Sequence, residues 1–286
     1  MNGLVRDWRF VPDPAPAWVQ RRARLAWWLF AQPFPAHAVL RGASPRSQWV
    51  VYFSYCPDGV LATHQRFALQ RMRDEGLAVL VVCATPGADR LPPELSASTG
   101  LADALIWKAL PGYDFSAYRV ALAHLAQVCS GSRVLLLNDS VWGPLSPLSP
   151  WLERTPWELT GFTSSATWGP HIQSYAWIVR ASTPDFLEAV RKVMPARRCL
   201  NRFDDVVLAQ ELGLAAAAAR QMTVGSFFHG DGVFVGNPML ERPAELLQAG
   251  LPFLKRALLG KHAGRLSREA VLSLLSEAGH PPVLGF

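Results

Sequence analysis

Charge is scarce in this sequence: Asp, Glu, Lys and Arg make up 17% of its 286 residues, against 50% hydrophobic. So apolar a chain does not stay disordered over most of its length, and 286 residues suffice for one large domain or two small ones. Cysteine is scarcer still. Cys56, Cys83, Cys129 and Cys199 lie far apart and form no CxxC pair, which excludes a zinc-finger spacing and points to reduced, buried thiols. No apolar run is long enough to span a bilayer and no charged-then-apolar leader opens the chain, so a cytoplasmic protein is expected. There is no GxGxxG after the first strand, no Walker loop and no basic run interleaved with aromatics. Dehydrogenases, P-loop enzymes and nucleic-acid binders lose support accordingly. Internal repeats are also lacking.

The charge that is present leans positive, with 28 Lys and Arg against 22 Asp and Glu, which suits an anionic ligand or an acidic membrane surface. Part of it sits early, in "WVQRRARLAWWLF", where Arg21, Arg22 and Arg24 stand beside Trp27, Trp28, Leu29 and Phe30. Such a helix either lies on a membrane or packs its aromatic side on the main domain with its arginines in water. Residues 1–45 are therefore expected to form a helical extension. From residue 48 the pattern alternates: "QWVVYFSY" (strand), "ATHQRFALQRMRDEG" (helix ended by Gly76), "LAVLVVCAT" and "DALIWKA" (strands), "DFSAYRVALAHLAQVC" (helix), "RVLLLNDS" (strand). Strands apolar throughout and alternating with helices predict an α/β domain, a mostly parallel Rossmann-like sheet with helices on both faces, over residues 46–236. "WELTGFTSS", "HIQSYAWIV" and "GSFFHGDGVFVG" predict further strands, and "PDFLEAVRKV" and "DDVVLAQELG" helices. The end, including "PAELLQAGLPFLKRALL" and "SREAVLSLLSEAG", predicts a helical segment over 237–286 that packs on the domain. In such sheets ligands sit beyond the carboxyl ends of the strands, where "SYCPDG" and "NDS" fall.

The order "GYDFSAY", "LLLNDSVWGPL", "QSY", "FDDVVLAQELG" and "PFLKR" resembles the rhamnan synthesis protein F family over roughly residues 48 to 260. Members of that family look like glycosyltransferases that build rhamnose-containing surface polysaccharides, lipopolysaccharide of the cell envelope among them. The chain is similar, more widely, to inverting transferases of the GT-A fold. Asn138-Asp139-Ser140 occupies the place of their Asp-x-Asp motif, and Asp204, Asp205, Leu208 and Gly213 fit their later acidic helix start. The sequence departs from the patterns at Leu110 (usually Asn), Ser116 (usually Gly) and Asp205 (often Glu), and "NDS" keeps one carboxylate of two.

The resemblance implies an inverting transferase moving a deoxyhexose such as L-rhamnose from dTDP-rhamnose onto a polysaccharide or lipid-linked glycan, with peripheral contact at the inner face of the plasma membrane as an expectation. A non-catalytic nucleotide- or glycan-binding subunit of an assembly complex is the alternative. In the first reading Asp139 holds Mg²⁺ or Mn²⁺ against the diphosphate, with His229 as a second ligand. A plain Asx turn at 138–140 competes with that, and a structural histidine is the ordinary reading of His229 and its neighbour Asp231. Asp205 is the candidate general base, with Asp204 as substitute; helix capping competes. Ser54, Tyr55, Asp114, Tyr118, Asn138 and Ser140 are the candidate nucleotide-sugar contacts, with Asp114 equally explained as a cap. His171, Gln173 and Tyr175 alternate along one strand and so share a face, which lines the sugar or acceptor cleft or meets solvent. Trp142 and Trp168 are placed to stack on a sugar or simply to pack.

Overall fold

Strands of uninterrupted apolar residues are stable only with both faces covered, and here both are. The structure, a computed structural model, describes residues 3–12, 15–96, 100–233 and 235–283. Ten strands form one sheet: β1 (Leu4–Arg9), β2 (His37–Arg41), β3 (Gln48–Tyr55), β4 (Val79–Ala84), β5 (Ala104–Lys108), β6 (Arg133–Asn138), β7 (Leu159–Ser165), β8 (His171–Ile172), β9 (Ala176–Val179) and β10 (Val224–Gly230). Their order is β1-β10-β7-β9-β6-β3-β4-β5-β2, with β8 beside β7. Strands β3, β4, β5, β6, β7 and β10 run one way and the other four run against them. The α/β class with a mostly parallel sheet is thus observed directly.

Helices α1 (Ala17–Leu29), α2 (Thr63–Asp74) and α3 (Tyr113–Val128) come early in the chain. Along β3, Trp49, Val51 and Phe53 enter the layer that holds Phe115, Tyr118, Leu122 and Leu125 of α3. Val50 and Tyr52 enter the opposite layer with Ala68, Leu69 and Met72 of α2. All six residues of β4 are buried; at about 1.5–3 kcal/mol for each large apolar side chain, this centre anchors the sheet. Helix α2 ends where Gly76 adopts φ +70°, a left-handed cap that any larger side chain would strain.

Three expectations need correction. The first forty-odd residues are not only helical: β1 pairs with β10 and β2 with β5, so this segment supplies both edges of the sheet. Their charged residues, Arg6, Asp7, Arg9 and Arg41, hide the pattern and suit edges, which tolerate charge. The run 171–179 is two strands, β8 and β9, parted at 173–175. The stretch 243–259 is not one helix. It stops at Gln248, and Pro252, which cannot continue a helix, turns the chain so that Leu254–Lys255 pairs antiparallel with Val141–Trp142. Val271 and Leu275 of the helix Arg268–Glu277 then pack with Trp142, Leu145, Leu254 and Leu258.

That return depends on Gly143. It sits at φ +129°, and a Cβ there would strike the Pro252 carbonyl oxygen and meet Phe253 Cδ1 at 3.1 Å. Gly143→Ala is expected to lower unfolding stability by about 1–3 kcal/mol, read from urea titration. A change within a few tenths of a kcal/mol would show that the segment is not held this tightly.

Candidate functional site

The chain moves from β3 through α2 to β4 on one side, and from β5 through α3 back to β6 on the other. The sheet order therefore reverses between β3 and β6, and the carboxyl ends of those two strands flank the crevice where α/β sheets take ligands. Asp139, one residue past β6, crosses it. Its Oδ2 accepts from Tyr55 N at 2.8 Å and from Gln65 Nε2 at 2.7 Å. Gln65 is clamped in turn, since its Oε1 accepts from Ala62 N at 2.7 Å and its Nε2 reaches Tyr55 O at 3.2 Å. Burial raises the Asp139 pKa, and the Tyr55 and Gln65 hydrogen bonds and the Arg256 charge offset only part of that rise.

The returning segment covers this tip with two cations that the sequence pattern hid inside an expected helix. Arg256 Nη1 donates to Asp139 O at 2.9 Å, its backbone N donates to Ser140 O at 3.1 Å, and Lys255 Nζ donates to Ser140 Oγ at 3.3 Å. Lys255 also lies over the Tyr175 ring, 4.8 Å from its centre. Burial pulls the Lys255 pKa down, against the pull of Glu211 and Asp114.

A second layer of polar contacts supports the tip. Asn138 Oδ1 accepts from Ser140 N and Oγ at 3.1 and 2.6 Å, and Asn138 Nδ2 donates to Asp114 Oδ2 at 2.8 Å. Asp114 stands in the first turn of α3, which opens at Gly112 with φ +95°. A Cβ on Gly112 would crowd Ser116 and approach Cys199 Cβ at 3.1 Å, so glycine is required there. Lys108, fully buried, holds the loop before it by donating to Ala109 O and Pro111 O at 2.8 and 2.9 Å. Burial lowers its pKa to about 8. Tyr118 is buried and donates to Ser174 O at 3.1 Å.

Glu211 is the carboxylate that the sequence reading missed. It ends a π turn, Val207–Glu211, inside the helix that starts at Phe203. That turn shifts the phase of everything after it, as π turns at functional sites often do. Ser174 N donates to Glu211 Oε2 at 3.1 Å, Ser174 Oγ donates to the same oxygen, and His171 Nε2 lies 3.6 Å from Oε1. Burial pushes the Glu211 carboxyl up, but His171, Ser174 and Lys255 outweigh it and hold it at about 2. Asp114 goes the other way: burial and the Glu211 charge raise it to about 6, against hydrogen bonds from Asn138, Ser174 and Phe115 N.

The remaining expected residues are dispersed. Gln173 and Tyr175 both bond to Thr163 Oγ1, at 2.7 and 3.0 Å, while His171 turns to Glu211; the three do not present one open face, and all are buried. Ser54 is buried on Cys56 Sγ at 3.3 Å, and Tyr55 keeps its ring half-exposed. Trp142 is buried and packs; Trp168 is half-exposed. Asp231 Oδ1 accepts from Val233 N and Val235 N at 3.0 and 3.1 Å, as a turn residue does.

The metal pair expected from sequence, Asp139 with His229, does not fit. His229 lies on β10, three strands from β6 and so roughly 14 Å away, its Nδ1 on Ser164 Oγ at 2.8 Å and its ring stacked on Trp8 at 4.0 Å. Burial lowers its pKa to about 4. Asp139 has no second carboxylate beside it in the "NDS" turn, and among the described residues no three His, Cys, Asp or Glu are grouped to hold an ion.

Asp205 is buried, whereas Asp204 is exposed. Asp205 Oδ2 makes no hydrogen bond, and its ion pair with Arg202 Nε, at 3.5 Å, is long. The carboxylate lines a cavity of about 670 Å³ together with Trp18, Arg22, Leu25, Leu29 and Arg202. Asp139 is not among the residues lining it. The two carboxylates are linked through the rim rather than by contact: Asn138 bonds Asp114, and Gly112 N donates to Asn201 Oδ1 at 3.1 Å, two residues before the helix that carries Asp205.

No family model matches the chain, and no curated protein matches it. Among solved structures it is similar to HddC from Yersinia pseudotuberculosis, at 11% identity and TM-score 0.34 over 49% of this chain and 79% of that one. The same protein complexed with GMP-PN gives 10% identity and TM-score 0.37, over 71% and 97%. The galactosyltransferase LgtC in complex with donor and acceptor sugar analogues gives 12% and 0.36, over 63% and 73%.

The Asp114 carboxyl supplies a pH test. In the fold it keeps its proton up to about pH 6, whereas its ordinary value is 3.8. The folded state thus binds more protons between those values, and this group's contribution to stability falls as pH rises through that window and is level above it. Asp114→Asn keeps an acceptor for Asn138 and removes the loss. Its stability relative to the parent chain should rise by on the order of 2 kcal/mol between about pH 4 and pH 7, measured by urea unfolding at each pH. A difference that does not change with pH would contradict the raised carboxyl.

Proposed function

We propose that this chain is a glycosyltransferase that takes its sugar from a nucleotide-diphosphate donor. The observation that carries the proposal is the pair Lys255 and Arg256, held over the Asn138–Ser140 turn at the crevice where the sheet order reverses. A leaving diphosphate gains negative charge as its bond to the sugar breaks, and fixed cations in a poorly solvated site stabilise that charge most. Here two side chains supply it, and no step needs the metal pair that the fold keeps apart. Lys255 is already partly desolvated and so gains more from an anion than a surface lysine would.

The finer reading follows the sequence resemblance: the sugar is a deoxyhexose such as L-rhamnose carried on dTDP, and the acceptor is a glycan. Asp205 is the base. The acceptor hydroxyl oxygen attacks the anomeric carbon from the face opposite the diphosphate, its proton passes to Asp205, and the electron pair of the breaking C–O bond leaves with the diphosphate, giving inversion. Asp205 Oδ2, which makes no hydrogen bond and only a long ion pair with Arg202 at the wall of a cavity, supports this role. Asp114, Asn138 and Ser140 position the turn beside the donor, and Glu211 with His171 and Ser174 fixes the far wall.

A thermal-shift panel of nucleotide sugars on the parent chain, Lys255→Ala and Asp205→Asn separates the parts. Stabilisation by dTDP-sugars that is lost in Lys255→Ala, and transfer that falls about a hundred-fold or more in Asp205→Asn with donor binding retained, are the expected results. Donor binding with no transfer from any variant would favour a non-catalytic subunit, and no response to any nucleotide would end the proposal.

A further inference from the structure

Helix α1 carries three arginines, Arg21, Arg22 and Arg24, and no acidic residue. Its inner side is anchored: Val19 packs with Leu208 and Leu212, Ala26 enters the main core, and Arg198 Nη2 donates to Trp27 O at 3.1 Å. The outer side is left bare. Trp28 is 76% exposed, and Trp18, Leu25, Leu29 and Phe30 are all exposed as well. Scattered apolar residues on a surface are ordinary, but five on one helix and its end form a patch. Positive charge continues along its margin, where Arg202 lies over the Phe30 ring, 4.4 Å from its centre. The exposed acid on the neighbouring helix start is Asp204.

We propose that the outer face of α1 docks on an anionic phospholipid bilayer. Tryptophan settles at headgroup depth, with its ring among acyl chains and its N–H among polar groups. Arginine lays its stem along apolar surface and puts its guanidinium on phosphate. The two residue types alternate over one rigidly held face, so one planar surface satisfies both, and Leu25 and Leu29 add aliphatic area that enters the acyl boundary. A second copy of this chain is a poorer occupant, because a two-fold contact through this face would set arginines against arginines. This face borders the cavity that holds Asp205, since Trp18, Leu25 and Leu29 belong to both, but vesicle binding needs no donor and is read without transfer.

Flotation of the full chain with vesicles tests it. Binding is expected to phosphatidylcholine vesicles that contain roughly a third phosphatidylglycerol, to weaken with salt, and to be far weaker on phosphatidylcholine alone. Trp28→Ser and the double variant Arg21→Glu/Arg24→Glu, each checked for native circular dichroism, should lower the bound fraction about ten-fold or more. Equal binding to both vesicle types, binding untouched by either variant, or no binding at all would overturn the proposal. So would sedimentation showing a dimer that Trp28→Ser dissolves while vesicles leave the chain unbound, which would assign the face to a second copy.

Discussion

The ends of β3 and β6 are held together by one carboxylate. Parallel neighbours diverge beyond their last ladder bond, and Asp139 closes that gap by accepting from Tyr55 N and from Gln65, itself fixed on α2. A mostly buried charge is costly unless hydrogen-bonded; here two donors and the nearby Arg256 offset the cost, though not all of it. Such a carboxylate is a built part of the crevice wall. Its backbone and its neighbour Ser140, rather than its carboxyl oxygens, meet the cations of the returning segment.

Charge of both signs is concentrated behind that wall. Asp114 and Glu211 are close enough for one to raise the other, and their environments push them in opposite directions, one towards about 6 and the other towards about 2. Pairs separated in this way mark sites where protonation state is set by the fold. Lys255 faces both and links them to the Asn138–Ser140 turn. The arrangement concentrates a partly desolvated cation at the crevice mouth, which is the property an anionic ligand needs.

The central strands were legible in the sequence because burial on both faces leaves an unbroken apolar run, as in 79–84. The polar end of 133–140 was legible too, since Asn, Asp and Ser at the tip of a core strand mark a turn at the crevice, and Ser140 does bond Asn138 Oδ1 there. What stayed hidden depended on tertiary context. Edge strands β1 and β2 carry charge and show no clean period. Lys255 and Arg256 sat in a segment with helical spacing, and Gly250, at φ +92°, and Pro252 were the signals that the chain turns there. Glu211 belongs to a helix whose phase changes at a π turn, which spacing alone cannot reveal. His229 was assigned to the site because sequence order does not give strand order; three strand widths separate it from Asp139.

The account rests on Lys255 and Arg256 receiving a diphosphate at the β3–β6 crevice. A crystal structure of the chain with a nucleoside diphosphate tests this most directly. The account predicts phosphate oxygens within hydrogen-bond distance of Lys255 Nζ and the Arg256 guanidinium, beside the Asn138–Ser140 turn. A nucleotide bound elsewhere, with those two side chains still turned onto Ser140 and Asp139, would contradict it.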